Sequence, residues 1–126
     1  MGAYKLRVLV IDDEPMVADS LAQILNMFGY HALSAYSAQA AIDHVGATPC
    51  DLVISDVVMD GKLSGIDLAI QLTTLMPSCR VLLMSGNNST AELLSSAQQK
   101  GYTFEVLTKP VHPTEILERL RTLETE

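Results

Sequence analysis

The feature that most limits what this chain can fold into is a recurrence of short apolar runs, each followed by a segment with helical spacing. The runs cover residues 6–11, 31–36, 52–54, 81–84 and 104–107. All but the weaker run at 31–36 are predominantly apolar and rich in Val, Ile and Leu, as expected of strands covered on both faces. Between them, residues 15–28 put Val17, Leu21, Ile24, Leu25 and Phe28 on one stripe, with Pro15 suited to the first turn and Gly29 to the stop. Residues 37–45 are alanine-rich, with Ser37 as N-cap. Residues 66–76 carry Ile66, Ala69, Ile70, Leu72 and Leu75 and stop at Pro77, while 90–100 ends at Gly101. Residues 113–123 offer Ile116, Leu117, Leu120 and Leu123, with Glu115 and Arg119 spaced as an i,i+4 pair. Strand–helix alternation repeated five times predicts an α/β fold: a doubly wound parallel sheet, right-handed crossovers and helices on both faces. The 126 residues suit one domain, 1–126, and no internal repeat or linker divides them.

Composition narrows the classes of function. Hydrophobic residues make up 48% and charged residues 18%, which fits a globular domain rather than a disordered chain. The net charge of −7 argues against direct nucleic-acid binding, which needs a basic patch. No apolar run approaches the ~18 residues of a membrane span, and residues 8–11 end at once in Asp12-Asp13-Glu14, unlike a signal peptide. A cytoplasmic location with no membrane partner is expected. Cys50 and Cys79 are too few for a zinc or disulfide framework; each precedes an apolar run, so two free, half-buried thiols near one sheet edge are expected. His31, His44 and His112 are scattered, and Met16, Met27, Met59, Met76 and Met84 read as core filler.

In open parallel sheets ligands bind beyond the carboxyl ends of the strands. There the chain places Asp12-Asp13-Glu14 after the first run, Asp56 after the third, Ser85-Gly86 after the fourth and Lys109-Pro110 after the fifth. Singly, Asp12 and Asp13 read as well as helix caps, Ser85 as a turn residue and Lys109 as a solvated charge. Together they do not: three carboxylates and one ammonium at one crevice repel as anions and recruit a cation. A hard, oxygen-lined site with room for water suits Mg²⁺. A lysine and a hydroxyl beside it form a cradle for a phosphoryl group, and Gly86 lets a backbone N–H approach closely. The constellation reads as carboxylate phosphorylation on an Asp nucleophile.

The motifs Val8-Leu9-Val10-Ile11-Asp12-Asp13-Glu14-Pro15, Leu52-Val53-Ile54-Ser55-Asp56-Val57-Val58-Met59, Leu83-Met84-Ser85-Gly86 and Leu107-Thr108-Lys109-Pro110 resemble, in order, those of the receiver domain of two-component response regulators. The resemblance covers essentially the whole chain. It implies a flavodoxin-like (βα)5 fold with strand order 2-1-3-4-5, and a phospho-accepting module that catalyses only its own phosphoryl transfer and dephosphorylation. It implies that Asp56 takes the phosphoryl group from a phosphohistidine of a sensor histidine kinase or phosphotransfer protein. Asp13, Asp56 and the Val58 backbone carbonyl would ligate Mg²⁺, with Asp12 holding a coordinated water. Lys109 and Ser85 would bind phosphoryl oxygens, with the backbone of Gly86 and Val58 beside the group, and Lys109-Pro110 would be a cis peptide.

Two departures from the family pattern stand out. Met59 is followed by Asp60 rather than Pro, in a stretch 60–65 one residue longer than usual. Val106 stands where an aromatic partner of the switching hydroxyl is common, leaving Ser85 to report phosphorylation alone and Tyr102 and Phe104 to pack. Val58, apolar beside the site, cannot orient an attacking water, so phospho-Asp56 is expected to be long-lived unless Asn87 serves. By analogy the fourth and fifth helices, with Glu92, Glu115, Glu118, Arg119 and Arg121, form a face for an unidentified protein target. A stand-alone receiver is expected; the alternatives are a receiver excised from a longer regulator or hybrid kinase, or a Mg²⁺-dependent Asp-nucleophile phosphohydrolase. The phosphohydrolase pattern wants Asp-x-Asp after the first strand, and a nucleotide or flavin binder wants a Gly-rich loop there; this chain has neither.

Overall fold

A computed structural model describes residues 6–58, 64–86, 90–109 and 111–124, with the side chains of 90–93 and 124 left aside. The segments are β1 (Arg7–Ile11), α1 (Pro15–Met27), β2 (His31–Ala35), α2 (Ala38–Ala47), β3 (Leu52–Asp56), α3 (Gly65–Leu75), β4 (Arg80–Ser85), α4 (Thr90–Gln99), β5 (Glu105–Thr108) and α5 (Pro113–Glu124). The strands form one five-stranded parallel sheet in the order β2-β1-β3-β4-β5, as the resemblance implied.

Position in the sheet bears on the strength of the apolar runs. Central β3 is buried at every residue, whereas edge strand β2 alternates between exposed and buried positions. An edge strand is less fully covered, which fits the faint run at 31–36; the other edge strand, β5, likewise exposes Glu105 and Thr108. On one face of the sheet, Val8, Val10, Ile54 and Leu82 pack against Leu25 of α1 and Ile116, Leu117 and Leu120 of α5. On the other, Leu9, Ile11 and Val53 meet Val45 of α2 and Leu68 and Leu72 of α3, and Ala97 of α4 closes a third cluster with Val57, Ile66 and Leu83.

Helix ends follow the expected chemistry. Ser37 Oγ accepts the Ala40 N–H at 3.0 Å, and Ser64 with Asp67 forms a reciprocal capping box at the start of α3. Gly29, just past α1, has φ +94°, a conformation costly for any residue with a β-carbon.

Three expectations are corrected. On α1 the buried positions are Ala18, Ala22 and Leu25, while Val17 and Phe28 are exposed and Leu21 and Ile24 lie half-buried at the rim. Alanines let the helix axis approach the sheet, and this rotates the larger side chains outward. For the same reason Met16 (81% exposed) and Met27 (77%) are surface residues rather than filler; Met84 is in the core. On α5, Arg119 pairs with Glu105 of β5 at 2.8 Å rather than with Glu115, because the neighbouring strand brings that carboxylate within reach.

Candidate functional site

The carboxyl ends of β1, β3, β4 and β5 bring together what the sequence placed after them. Strand order reverses between β1 and β3, since the chain leaves β1 for β2 on one side and returns to β3 on the other. Asp12 and Asp13 thereby face Asp56: carboxylate oxygens of the three lie within 4.8 Å of one another. Lys109, just past β5, reaches across and donates to Asp56 Oδ2 at 2.7 Å. Ser85, paired with Thr108 at the last rung of β4 and β5, is buried beside them. Lys109 is tied in turn to β4, its N–H donating to the Ser85 carbonyl at 2.8 Å.

Burial and charge oppose each other here. Asp12 is 2% exposed, and desolvation pushes its carboxyl above the ordinary value. The Glu14 N–H, donating to Asp12 Oδ1 at 3.0 Å, pulls it back down, and the Asp56 charge pushes it up again. Asp12 is not the helix cap, since Glu14 holds that position with no side-chain cap bond; Asp12 accepts the Glu14 N–H ahead of α1 and still faces the crevice. Burial alone would lower Lys109, but the hydrogen bond and charge of Asp56, with Asp12 and Glu14 behind, outweigh it and hold the ammonium above its usual value. Lys109 therefore stays charged at neutral pH.

Three carboxylates and one ammonium leave the crevice short of positive charge. The donor set is all hard oxygen, with no thiolate or imidazole in the cluster, and this fits Mg²⁺ rather than a softer metal. Val58, 55% exposed, flanks the site directly after Asp56 and buried Val57. Gly86 proves to lie under the lysine stem: a β-carbon there would stand 3.2 Å from Lys109 Cβ. Asn87, Met59, residues 60–63 and Pro110 lie outside the described residues, and with them the longer loop and the cis peptide. Val106, Tyr102 and Phe104 are half-buried against the Val57–Leu83 cluster, the two rings stacked with centroids 6.2 Å apart.

Two features next to the site were not read from the sequence. An apolar groove of about 450 Å³ runs from Asp12 and Lys109 between α1 and α5, walled by Met16, Val17, Ile24 and Val111. The outward rotation of α1 creates it. Ser55 and Gly65 touch the main chain of Asp56 itself: Ser55 Oγ donates to the Asp56 carbonyl at 3.0 Å, and Gly65 packs on that same carbonyl. A glycine as the first residue of a helix, where nearly any other residue is a better helix former, was the available signal.

Residues 8–121 match the family model of the response regulator receiver domain. The transcriptional regulatory protein YvrH of Bacillus subtilis (strain 168) is 32% identical over 115 residues, covering 90% of this chain and 47% of that protein. The response regulator MprA of Mycolicibacterium vanbaalenii is 29% identical, covering 94% of this chain and 50% of its own length. This chain thus spans about half the length of these curated relatives. Among solved structures, a CheY-like receiver domain protein from Methanospirillum hungatei JF-1 superposes with a TM-score of 0.84 at 23% identity, covering 97% of this chain and 95% of that one. The response regulator TrrA of Thermotoga maritima, solved in complex with Mg²⁺-BeF, gives 0.79 at 28% identity, covering 95% and 99%.

Proposed function

The chain belongs to the response regulator receiver domain family, and from that premise we propose that Asp56 accepts a phosphoryl group from a phosphohistidine on a sensor kinase or phosphotransfer protein. An Asp56 carboxylate oxygen attacks phosphorus, the P–N bond breaks, and its electron pair stays on the imidazole nitrogen, which takes up a proton. The product is an acyl phosphate on Asp56. Lys109, hydrogen-bonded to Asp56 Oδ2, keeps its proton and redirects its N–H donation to a phosphoryl oxygen as charge moves outward, and Ser85 donates to another. Gly86 leaves room for the lysine stem and for its own N–H beside the group.

Asp13, Asp56 and the Val58 carbonyl would hold Mg²⁺, with Asp12 on a coordinated water. Bound there, the ion supplies the positive charge that a phosphoryl group needs to enter a crevice of three carboxylates. The observation that carries this reading is the Lys109–Asp56 contact of 2.7 Å inside that cluster. The Mg²⁺-BeF complex of the Thermotoga relative supports it.

The groove beside Lys109 gives the phosphodonor an apolar rim to press on, so that water is excluded during transfer. Phosphorylation then alters binding to a protein target, through the α4–β5–α5 side that carries Glu105, Arg119 and Arg121. Relatives of about twice this length favour a second form of the same reading, in which the output lies on a further segment of a longer protein. The full reading frame decides between them.

Acetyl phosphate with Mg²⁺, followed by intact-mass measurement, tests the reading. One phosphoryl adduct on the wild-type protein, lost in Asp56→Asn and in EDTA, is expected. Turnover of small phosphate esters with no adduct would instead place the protein among Asp-nucleophile phosphohydrolases.

A further inference from the structure

The acidic and basic residues of the site account for charge, but nothing among them fixes the main chain from which Asp56 projects. β3 ends at Asp56, so the next peptides lack the full ladder that holds a strand interior. Instead, four short-range contacts converge on them. Ser55, 1% exposed, donates its hydroxyl to the Asp56 carbonyl at 3.0 Å. The Val57 N–H donates to Met84 O at 3.0 Å, and the Val57 carbonyl accepts the Gly65 N–H at 2.8 Å. Finally, Gly65 Cα rests against the Asp56 peptide so closely that a β-carbon would stand only 2.9 Å from the Asp56 carbonyl carbon and from Val57 Cα, and nearer still to the carbonyl oxygen.

Carbon atoms in contact prefer ~3.5–4.0 Å, so a methyl group at residue 65 is short of room by roughly 0.6–1 Å. The atoms in its way are backbone, and a side-chain rotation cannot clear them. Val57 is fully buried and cannot retreat, and the Ser64–Asp67 capping box holds the start of α3 in place. The strain therefore falls on the Asp56 peptide. Gly65 has no positive φ to explain it; its lack of a side chain serves the close approach alone.

We propose that Gly65 and Ser55 are positioning residues for the phosphoacceptor: together they clamp the Asp56 peptide, and the clamp sets where the carboxylate meets both metal and phosphodonor. The inference rests on the reading of Asp56 as phosphoacceptor and adds the residues that aim it. Displacing a reacting group by ~1 Å costs on the order of a hundredfold in rate.

The test compares Gly65→Ala with Gly46→Ala, an exposed α2 glycine whose β-carbon would meet nothing within 4 Å. Three quantities are read: the rate constant of Mg²⁺-dependent phosphorylation by acetyl phosphate per folded molecule, the Mg²⁺ affinity by titration calorimetry, and the urea midpoint. Gly65→Ala is expected to lose tenfold or more in rate at saturating Mg²⁺ and to bind Mg²⁺ more weakly; such losses are of the order that misplacement predicts. Gly46→Ala keeps both. A Gly65→Ala protein with a lowered urea midpoint but wild-type rate and Mg²⁺ affinity would make Gly65 merely structural and overturn the proposal. If Gly65→Ala does not fold, Ser55→Ala decides, since it removes one hydroxyl and no volume constraint. A severalfold slower rate and weaker Mg²⁺ binding support the clamp, and wild-type values overturn it. Failure of the wild-type protein to take phosphate at all would instead refute the underlying reading of Asp56.

Discussion

Asp12→Asn is the most informative perturbation of the site, because it separates the demands of charge from those of fold. The side chain is nearly inaccessible, and its Oδ1 accepts the Glu14 N–H, a role an Asn oxygen can keep. What the substitution removes is one of three negative charges within 4.8 Å. Two unit charges at that separation repel by about 3.5 kcal/mol at an effective dielectric constant near 20. Asp12 faces two such partners, and its attraction to Lys109 offsets part of that repulsion. Water reaching half-exposed Asp13 screens more. The net expectation is a metal-free variant more stable than wild type by about 1–2 kcal/mol at neutral pH, or roughly 3–6 °C in Tm.

The pH dependence carries the sign. Burial raises the Asp12 carboxyl above 3.8 in the folded protein, so the folded state binds this proton more tightly than the unfolded chain. Wild-type stability from this group is therefore greatest below the unfolded value and declines as pH rises through the folded one. Urea unfolding followed by circular dichroism in EDTA, from pH 4 to 8, should show the advantage of Asp12→Asn growing with pH. Mg²⁺ at ten times its dissociation constant then adds about 1.4 kcal/mol to wild type, and less to the variant, so the gap narrows. A variant no more stable than wild type in EDTA at pH 7.5, or an advantage that is flat with pH, would refute the reasoning.

Other outcomes are fixed by single features. Val58 is exposed beside Asp56 and offers a water no hydrogen bond, so Val58→Asn should shorten the lifetime of the phosphorylated form severalfold, read as loss of the adduct mass with time; an unchanged lifetime would remove Val58 from the account. Cys50 and Cys79 are free and buried, and desolvation, then the neighbouring Cys50 and Asp51, pushes Cys79 up to about 12. A thiol reagent at pH 8 should therefore titrate both only after unfolding, and rapid reaction in the native protein would contradict the packing.

How much was legible in the sequence depended on whether a residue's role lies in its type or in its surroundings. The central strands declared themselves because burial on both faces leaves no polar position, as at Leu52, Val53 and Ile54. The site was legible for another reason: Asp12, Asp13, Asp56 and Lys109 are each ordinary at a strand end, but three carboxylates and one ammonium following separate runs do not read as caps. The face of α1 was not legible. Amphipathic spacing weights large apolar residues, yet Ala18 and Ala22 set how close the helix lies, and the larger side chains went to the rim. The partner of Arg119 depended on a strand 14 positions away in sequence, since Glu105 lies nearer than Glu115. Ser55 and Gly65 act through backbone distances, of which the sequence carried only the indirect sign of a glycine opening a helix.

On the proposed reading of Asp56 as phosphoacceptor, the charges at the site also bear on the order of events. Without metal, three carboxylates and one ammonium leave two negative charges in a crevice where Asp12 is almost dry. Lys109 is already committed to Asp56 at 2.7 Å, so its charge attracts an incoming phosphoryl group only weakly. Converting the Asp56 carboxylate to an acyl phosphate raises the negative charge further, because a phosphoryl group carries about −1.5 to −2 at neutral pH. One divalent cation balances the metal-free crevice, and after transfer the site is again negative by about one charge. That residual charge falls where Lys109 can turn from the carboxylate to the phosphoryl oxygens. The lysine would therefore be a constraint on Asp56 before transfer and a ligand of the product afterwards. On the proposed reading, a Lys109→Ala protein should then still take up Mg²⁺ by titration calorimetry, yet gain phosphate from acetyl phosphate more slowly by intact mass, because the Lys109 side chain makes the contact to Asp56, whereas its tie to Ser85 is a backbone N–H that alanine keeps.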